Sequence, residues 1–201
     1  MTTTCEREAA IHPPIVRLTH WINAAAMLVL IASGWQIYTA SPILPFVFPK
    51  AVTLGGWLGG ALLWHFAAMW LLMANFLVLA IFGFASGRFR AKLWPISPKA
   101  LTADLRAALS GRLGHADLAH YNSVQKLLYA GVLGAILLAI LSGFAIWKPV
   151  QLQTLTSLMG GFQGARLVHF LAMAAITGFL VVHVVMALLV PRSLRAMVRG
   201  R

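Results

Sequence analysis

Four long apolar stretches divide the chain, at about 15–40, 57–85, 123–147 and 165–190. Each exceeds the ~20 residues that a helix needs to cross a bilayer. The runs are continuous, show no alternation of period two and are too long for barrel strands, so the pattern predicts helices. The segments between them are broken by turn residues. Residues 41–56 carry Pro42, Pro45 and Pro49 and then Gly55-Gly56, which predicts a loop lying on or dipping into the membrane interface. Residues 86–122 form the longest connection. Within it Ser97-Pro98 predicts the start of a short helix running to Ser110, with Gly111 as its stop. Leu101, Leu105, Ala108 and Leu109 would then face the membrane and Arg106 the lipid phosphates. No internal repeat and no second domain stands out. Residues 1–201 therefore read as one all-α membrane domain, an up-and-down bundle of four transmembrane helices.

Composition sharpens this picture. Hydrophobic residues make up 60% of the 201 positions and charged residues 10%, against about 45–50% and about 25% in soluble domains. A soluble enzyme, a disordered tail and a disulfide scaffold are thereby excluded. The single cysteine, Cys5, forms neither an intrachain disulfide nor a thiolate cluster. A net charge of +12 would suggest nucleic acid in a soluble chain, but in a membrane chain it reports topology. With the N-terminus inside, the inner segments hold Arg7, Arg17, Arg88, Arg90, Lys92, Lys99, Arg106, Arg112, Lys126, Arg192, Arg195, Arg199 and Arg201, or 13 of the 16 basic residues. Only Lys50, Lys148 and Arg166 remain outside. The expectation is a multi-pass membrane protein with both termini cytoplasmic, in contact with lipid and not with nucleic acid. Residues 1–14 include Glu6 and Glu8 and lack an apolar core, so they do not read as a cleavable signal. Trp35, Trp57 and Trp147 mark the outer interface, and Trp21 and Trp94 the inner one.

Four of the seven histidines, His20, His65, His169 and His183, fall inside the apolar stretches. An imidazole in hydrocarbon is costly and needs a partner. Depth along the spans pairs His20 with His183 in the inner half and His65 with His169 in the outer half. His169 and His183 are 14 residues apart, which places them ~21 Å apart along a helix and within about 40° of one face. One helix thus offers an imidazole to each of two stacked sites. Zinc would need further ligands, and neither pair has a nearby Cys, Asp or Glu. The spans contain no acidic residue, which excludes a carboxylate-bridged metal centre. Haem needs only two axial ligands, and two imidazoles leave no open iron position, which suits electron transfer. Gly34, level with the outer pair, Gly178 on the fourth span, and Gly131, Gly134 and Gly143 on the third offer room for a flat macrocycle. Arg17 and Arg166, three residues before His20 and His169, are candidate partners of haem propionates.

Arg17-Leu18-Thr19-His20-Trp21 at the first span, a lone His65 in the second, and His169 and His183 in the fourth resemble the bacterial cytochrome b561-type membrane cytochromes. That group includes the b-type subunits of nickel–iron hydrogenases, formate dehydrogenase-N and thiosulfate reductase. The resemblance spans about residues 12–195. It implies two b-type haems as cofactors, the inner on His20 and His183 and the outer on His65 and His169. Tyr121-Asn122-Ser123-Val124-Gln125-Lys126 resembles the Tyr-Asn-x-x-Gln-Lys segment of the formate dehydrogenase type, where the asparagine lies beside the inner haem at a quinone site. Asn122 and Lys126 would donate to a quinone carbonyl, and Tyr121, Gln125 and His120 could pass protons. The function implied is electron transfer between the quinone pool and a periplasmic redox partner resembling a molybdenum oxidoreductase or a hydrogenase. The chain would then be an electron-transfer subunit more than a complete enzyme. Its short outer segments, Pro42–Gly56 and Pro149–Gly164, would be the docking face. The alternative is a stand-alone superoxide:quinone oxidoreductase, with Lys50, Lys148 and Arg166 drawing in the anion.

Overall fold

In the computed structural model, residues 13–88, 90, 98–109 and 123–200 are described, the side chains of Leu105, Ala108 and Leu109 excepted. The four spans are α1 (Pro14–Ala40), α2 (Leu58–Ala85), α4 (Ser123–Trp147) and α6 (Gly161–Leu189). All four are long and apolar enough to cross a membrane. Among the described residues, the shorter α-helices are α3 (Pro98–Leu109) and α5 (Gln153–Leu158), which lie between spans, and α7 (Pro191–Arg199), which follows the last one. The fourth span begins four residues before the expected boundary, because Gly160 and Gly161, at φ 83° and 78°, turn the chain into it directly. Pro191 ends that span and opens the amphipathic α7, a helix the apolar pattern alone did not predict.

The bundle is two antiparallel hairpins. α1 packs along α2, and α4 along α6, whereas close backbone packing between the hairpins is slight. Within each hairpin small residues predominate at the buried positions. Ala26, Ala61 and Ala68 fill the first and Ala145, Ala165 and Ala172 the second, with Ser33 and Ser142 fully buried. Lipid supplies no hydrophobic drive between helices, so close approach of small residues carries the packing. Large side chains such as Leu63, Phe84, Leu188 and Leu189 point outward. A polar contact adds to the first hairpin. The Asn75 amide donates to the Thr19 carbonyl at 2.7 Å and to Asn23 Oδ1 at 2.6 Å.

The two hairpins repeat one another, contrary to the expectation of no internal repeat. Ile31-x-Ser33-Gly34-Trp35-x-Ile37 on α1 matches Ile140-x-Ser142-Gly143-Phe144-x-Ile146 on α4. Gly60-Ala61-x-Leu63-x-His65-Phe66-x-Ala68-Met69 on α2 matches Gly164-Ala165-x-Leu167-x-His169-Phe170-x-Ala172-Met173 on α6. Burial follows the register: Ala61, Ala68 and Leu72 are buried, as are their counterparts Ala165, Ala172 and Ile176. The contacts between hairpins are reciprocal as well. Phe66 packs on Trp147 at 5.3 Å between ring centres, and Phe170 packs on Tyr38, the residue matching Trp147, at 5.1 Å. A contact whose partners exchange roles in this way is the mark of a twofold axis. The repeat escapes a scan by eye because its two halves have different offsets, 109 and 104 residues, and because the long connection 86–122 separates them.

Both ends of the bundle are tied. At the end carrying the chain termini, Arg17 Nε donates to the Met197 carbonyl at 3.2 Å and an Arg17 Nη to the Val198 carbonyl, capping α7. Asp104 on α3 accepts a hydrogen bond from the Ser123 backbone N–H at 2.7 Å, a carboxylate at the N-terminus of α4. At the far end, residues 41–57 fold back over α1. The Leu54 N–H reaches the Ala32 carbonyl at 3.0 Å, and Thr53 Oγ1 donates to Gln36 Oε1 at 2.8 Å. The loop between the first two spans therefore packs against α1. It requires Gly55, at φ 107°, because a Cβ there would collide with the Ala61 backbone. Trp35, Tyr38, Phe46, Phe48 and Phe170 form one aromatic cluster under this loop.

Candidate functional site

The four intramembrane histidines meet in two pairs between the hairpins, as their depths predicted. The far pair, His65 on α2 and His169 on α6, has ring centres 6.3 Å apart and planes at 65°. The near pair, at the termini end, joins His20 on α1 to His183 on α6, with centres 5.9 Å apart and planes at 61°. These four rings bridge hairpins whose backbones otherwise stand apart.

The far pair is held from behind. Ser33 on α1 lies 3.0 Å from His65 Nδ1, and Ser142 on α4 lies 3.1 Å from His169 Nδ1. Each serine hydroxyl donates to the carbonyl four residues earlier at 2.6 Å, Val29 or Leu138. A hydroxyl has one hydrogen, so each Oγ accepts from its histidine. Nδ1 therefore carries the proton in both rings, and His169 Nδ1–H is shared with the Ala139 carbonyl at 2.9 Å. Nε2 is left deprotonated and without a hydrogen-bond partner among the described residues. Gly34 and Gly143, next to the serines, complete each seat: a Cβ there would lie 3.5 Å from His65 Cε1 or 3.4 Å from His169 Cε1. These glycines were expected to make room for a macrocycle; they receive the ligand ring itself. Gly131, Gly134 and Gly178 have open space where a Cβ would stand.

The near pair is set by rings. Phe179 stacks on His183 with centres 5.6 Å apart and planes at 13°, and Trp21 meets His20 edge-on at 5.3 Å. Among the described residues, His183 has no serine seat like those of the far pair. In the repeat register His20 corresponds to Tyr129 and His183 to Leu79, so this pair departs from the twofold pattern.

Two facing imidazoles at each level, with unprotonated Nε2 atoms in the far pair, fit a haem held by two histidines. A metal–imidazole bond of about 2.0–2.1 Å, with each ring centre ~1.1 Å beyond its nitrogen, sets the centres about 6.3 Å apart across one iron. The observed 6.3 and 5.9 Å agree with this. The Nδ1 hydrogen bonds of the far pair are those that commonly fix the tautomer of a metal-bound histidine.

The remaining expected site residues fall as follows. Arg17, a candidate propionate contact, donates to the end of α7. Arg166 donates to the Ser41 carbonyl, to Ser41 Oγ at 3.2 Å and to Gln163 Oε1 at 3.0 Å, tying α6 to the end of α1. Gln125 and Lys126 lie in the first turn of α4. Tyr121, Asn122 and His120 lie outside the described residues. The serine seats were missed at the sequence level. Their signal was the coincidence of Ser-Gly on α1 and α4, legible only once the repeat is seen.

A four-helix membrane bundle with two stacked bis-imidazole sites defines a class, the integral membrane b-type cytochromes. The prokaryotic cytochrome b561 family model matches residues 11–200, and the chain belongs to that family. It is 53% identical over 191 residues to a protein of Azospira oryzae that carries the name protein-methionine-sulfoxide reductase subunit YedZ1, covering 95% of this chain and 96% of that one. The chain is thus a b-haem protein of a bacterial membrane.

Proposed function

We propose that this protein carries electrons across the inner membrane from the quinone pool to a periplasmic reductase subunit of the methionine-sulfoxide type. The observation that carries the reading is the stacking of two facing imidazole pairs in one bundle. Bound at both levels, haem b supplies one-electron transfer. His20 and His183 hold it at the termini end and His65 and His169 at the far end. With two histidines holding the group at each level, the chemistry it would supply there is electron transfer.

Both termini are cytoplasmic in this reading, as the excess of Lys and Arg at that end supports. Asn122, Tyr121, Gln125 and Lys126 form the quinone contact there, close to the water that takes up or supplies protons. The far end is periplasmic, and residues 41–57 and 148–160 are the docking face. The overall reaction balances: a quinol gives a quinone, two protons and two electrons, and a sulfoxide takes two of each to give a thioether and water. The relative's name supports the sulfoxide partner over a molybdenum enzyme of another specificity or a hydrogenase. The superoxide reading draws less support. Arg166 is engaged with Ser41 and Gln163, and Lys148 lies over the Trp147 ring at 4.8 Å.

The test is co-purification with a periplasmic methionine-sulfoxide reductase subunit from the same organism, followed by quinol-driven reduction of a methionine sulfoxide peptide. Reduction that requires both proteins supports the reading. Haem reduction by quinol with no transfer to the partner would overturn the partner, and absence of haem from the purified protein would overturn the whole.

A further inference from the structure

The duplicated hairpin carries a function of its own. We infer that Ser33 and Ser142 are equivalent positioning residues for the far haem: each accepts the Nδ1 proton of one axial histidine, aims its Nε2 at the iron and sets the electron affinity of the site. The inference rests on the haem reading above and goes beyond it.

Four matched observations support the equivalence. The serine-to-Nδ1 distances are 3.0 and 3.1 Å, and the hydroxyl-to-carbonyl distances behind them are both 2.6 Å. The glycine following each serine faces Cε1 of the same histidine at matching range, 3.5 and 3.4 Å for a Cβ. The carbonyl three residues before each serine, Leu30 or Ala139, also lies within reach of that serine's hydroxyl, at 3.3 and 3.2 Å, and the Ala139 carbonyl accepts from His169 Nδ1–H as well. Two copies of one seat, related by a twofold axis and facing each other across the gap between hairpins, place two like ligands on one iron. In the near pair Phe179 stacks on His183 and Trp21 meets His20 edge-on, and among the described residues His183 has no serine at its ring nitrogens.

The chemistry gives the sign. A hydrogen bond accepted from Nδ1–H makes the imidazole a stronger electron donor through Nε2. A stronger donor favours the ferric state and lowers the reduction potential. Removing the serine oxygen leaves the carbonyl in place, so the ring stays oriented and the haem stays bound, but part of that donation is lost. The potential of the far haem therefore rises.

The experiment is a redox titration, followed by visible spectra, of the full-length protein in detergent or nanodiscs. The far haem is assigned as the one lost in His65→Ala. In Ser33→Ala and in Ser142→Ala both haems are retained. The far haem shifts upward by an amount equivalent to a roughly two- to tenfold change in its ferric-to-ferrous ratio, about 20–60 mV for one electron. The two variants shift the same haem by similar amounts, the double variant shifts it further, and the near haem does not move. Ser33→Thr, which keeps a hydroxyl, returns the potential toward the starting value. If a serine variant instead sheds the far haem alone, and the threonine variant restores it, the positioning role stands as well. The inference is overturned if neither serine moves the far potential, if only one does, or if both haems shift or are lost together. A starting protein with a single haem would overturn the dihaem reading instead, before any serine is changed.

Discussion

In the proposed reading the far and near histidine pairs do the same work, holding haem, with different construction. Each far ligand sits in a seat of serine, glycine and a backbone carbonyl on the adjoining helix of its own hairpin, so its ring is fixed by hydrogen bonds before any iron is bound. The near histidines have aromatic neighbours, Trp21 edge-on to His20 and Phe179 stacked on His183. The far pair lies on the axis of a duplicated hairpin, whereas the near pair uses the first helix of one hairpin and the second helix of the other. A symmetric site comes twice from one solution. An asymmetric site frees the opposite positions, Tyr129 and Leu79, to differ, at the end where the proposed quinone contact lies.

The largest expected effects separate the two levels. His65→Ala removes the far haem and His20→Ala the near one, each lowering the content from two haems per chain to one. His183→Ala matches His20→Ala in spectrum and redox titration, and a match to His65→Ala would break the pairing. The difference in construction shows in rescue. In His65→Gly the seat of Ser33 and Gly34 remains, so added imidazole restores the far haem. In His183→Gly no such seat remains and restoration is weaker. Equal rescue at both levels, measured by haem titration, would remove the distinction.

Smaller effects follow at the termini end. Asn122→Ala leaves both haems bound with nearly native spectra. The loss of one hydrogen bond of about 0.5–1.5 kcal/mol lowers quinone affinity roughly two- to tenfold. Quinol reduces the haems more slowly in that variant, while a small chemical reductant does so at the usual rate. Asn75→Ala breaks the contacts to Thr19 and Asn23 and costs about 0.6–2 kcal/mol of hairpin stability, read by thermal unfolding in detergent. Arg17→Ala uncaps α7 and costs about 1 kcal/mol. It frees that helix to protease digestion without changing either haem.

Much of this was written in the residue pattern. The spans follow from continuous apolar runs, and the pairing of histidines follows from rise per residue, because a bilayer forces helices into register with depth. Other features were not legible. Ser33 and Ser142 look like ordinary small residues in membrane helices, and only the fold shows that each lies behind a histidine more than 25 positions away. Asn23 and Asn75 are separated by the whole far-end loop, so their contact is a product of hairpin packing. Arg17 is close to His20 in sequence, which suggested a propionate partner, yet it reaches the other end of the chain at Met197 and Val198. Depth is encoded locally, but the direction in which a side chain leaves its helix is settled by the neighbour.

Haem quantitation combined with a potentiometric titration of the purified full-length protein tests the central claim most directly. The account predicts two haems b per chain, both low-spin and indifferent to carbon monoxide, titrating as two one-electron couples, one of which disappears in His65→Ala. A single haem per chain, or a high-spin iron that binds carbon monoxide, would contradict it.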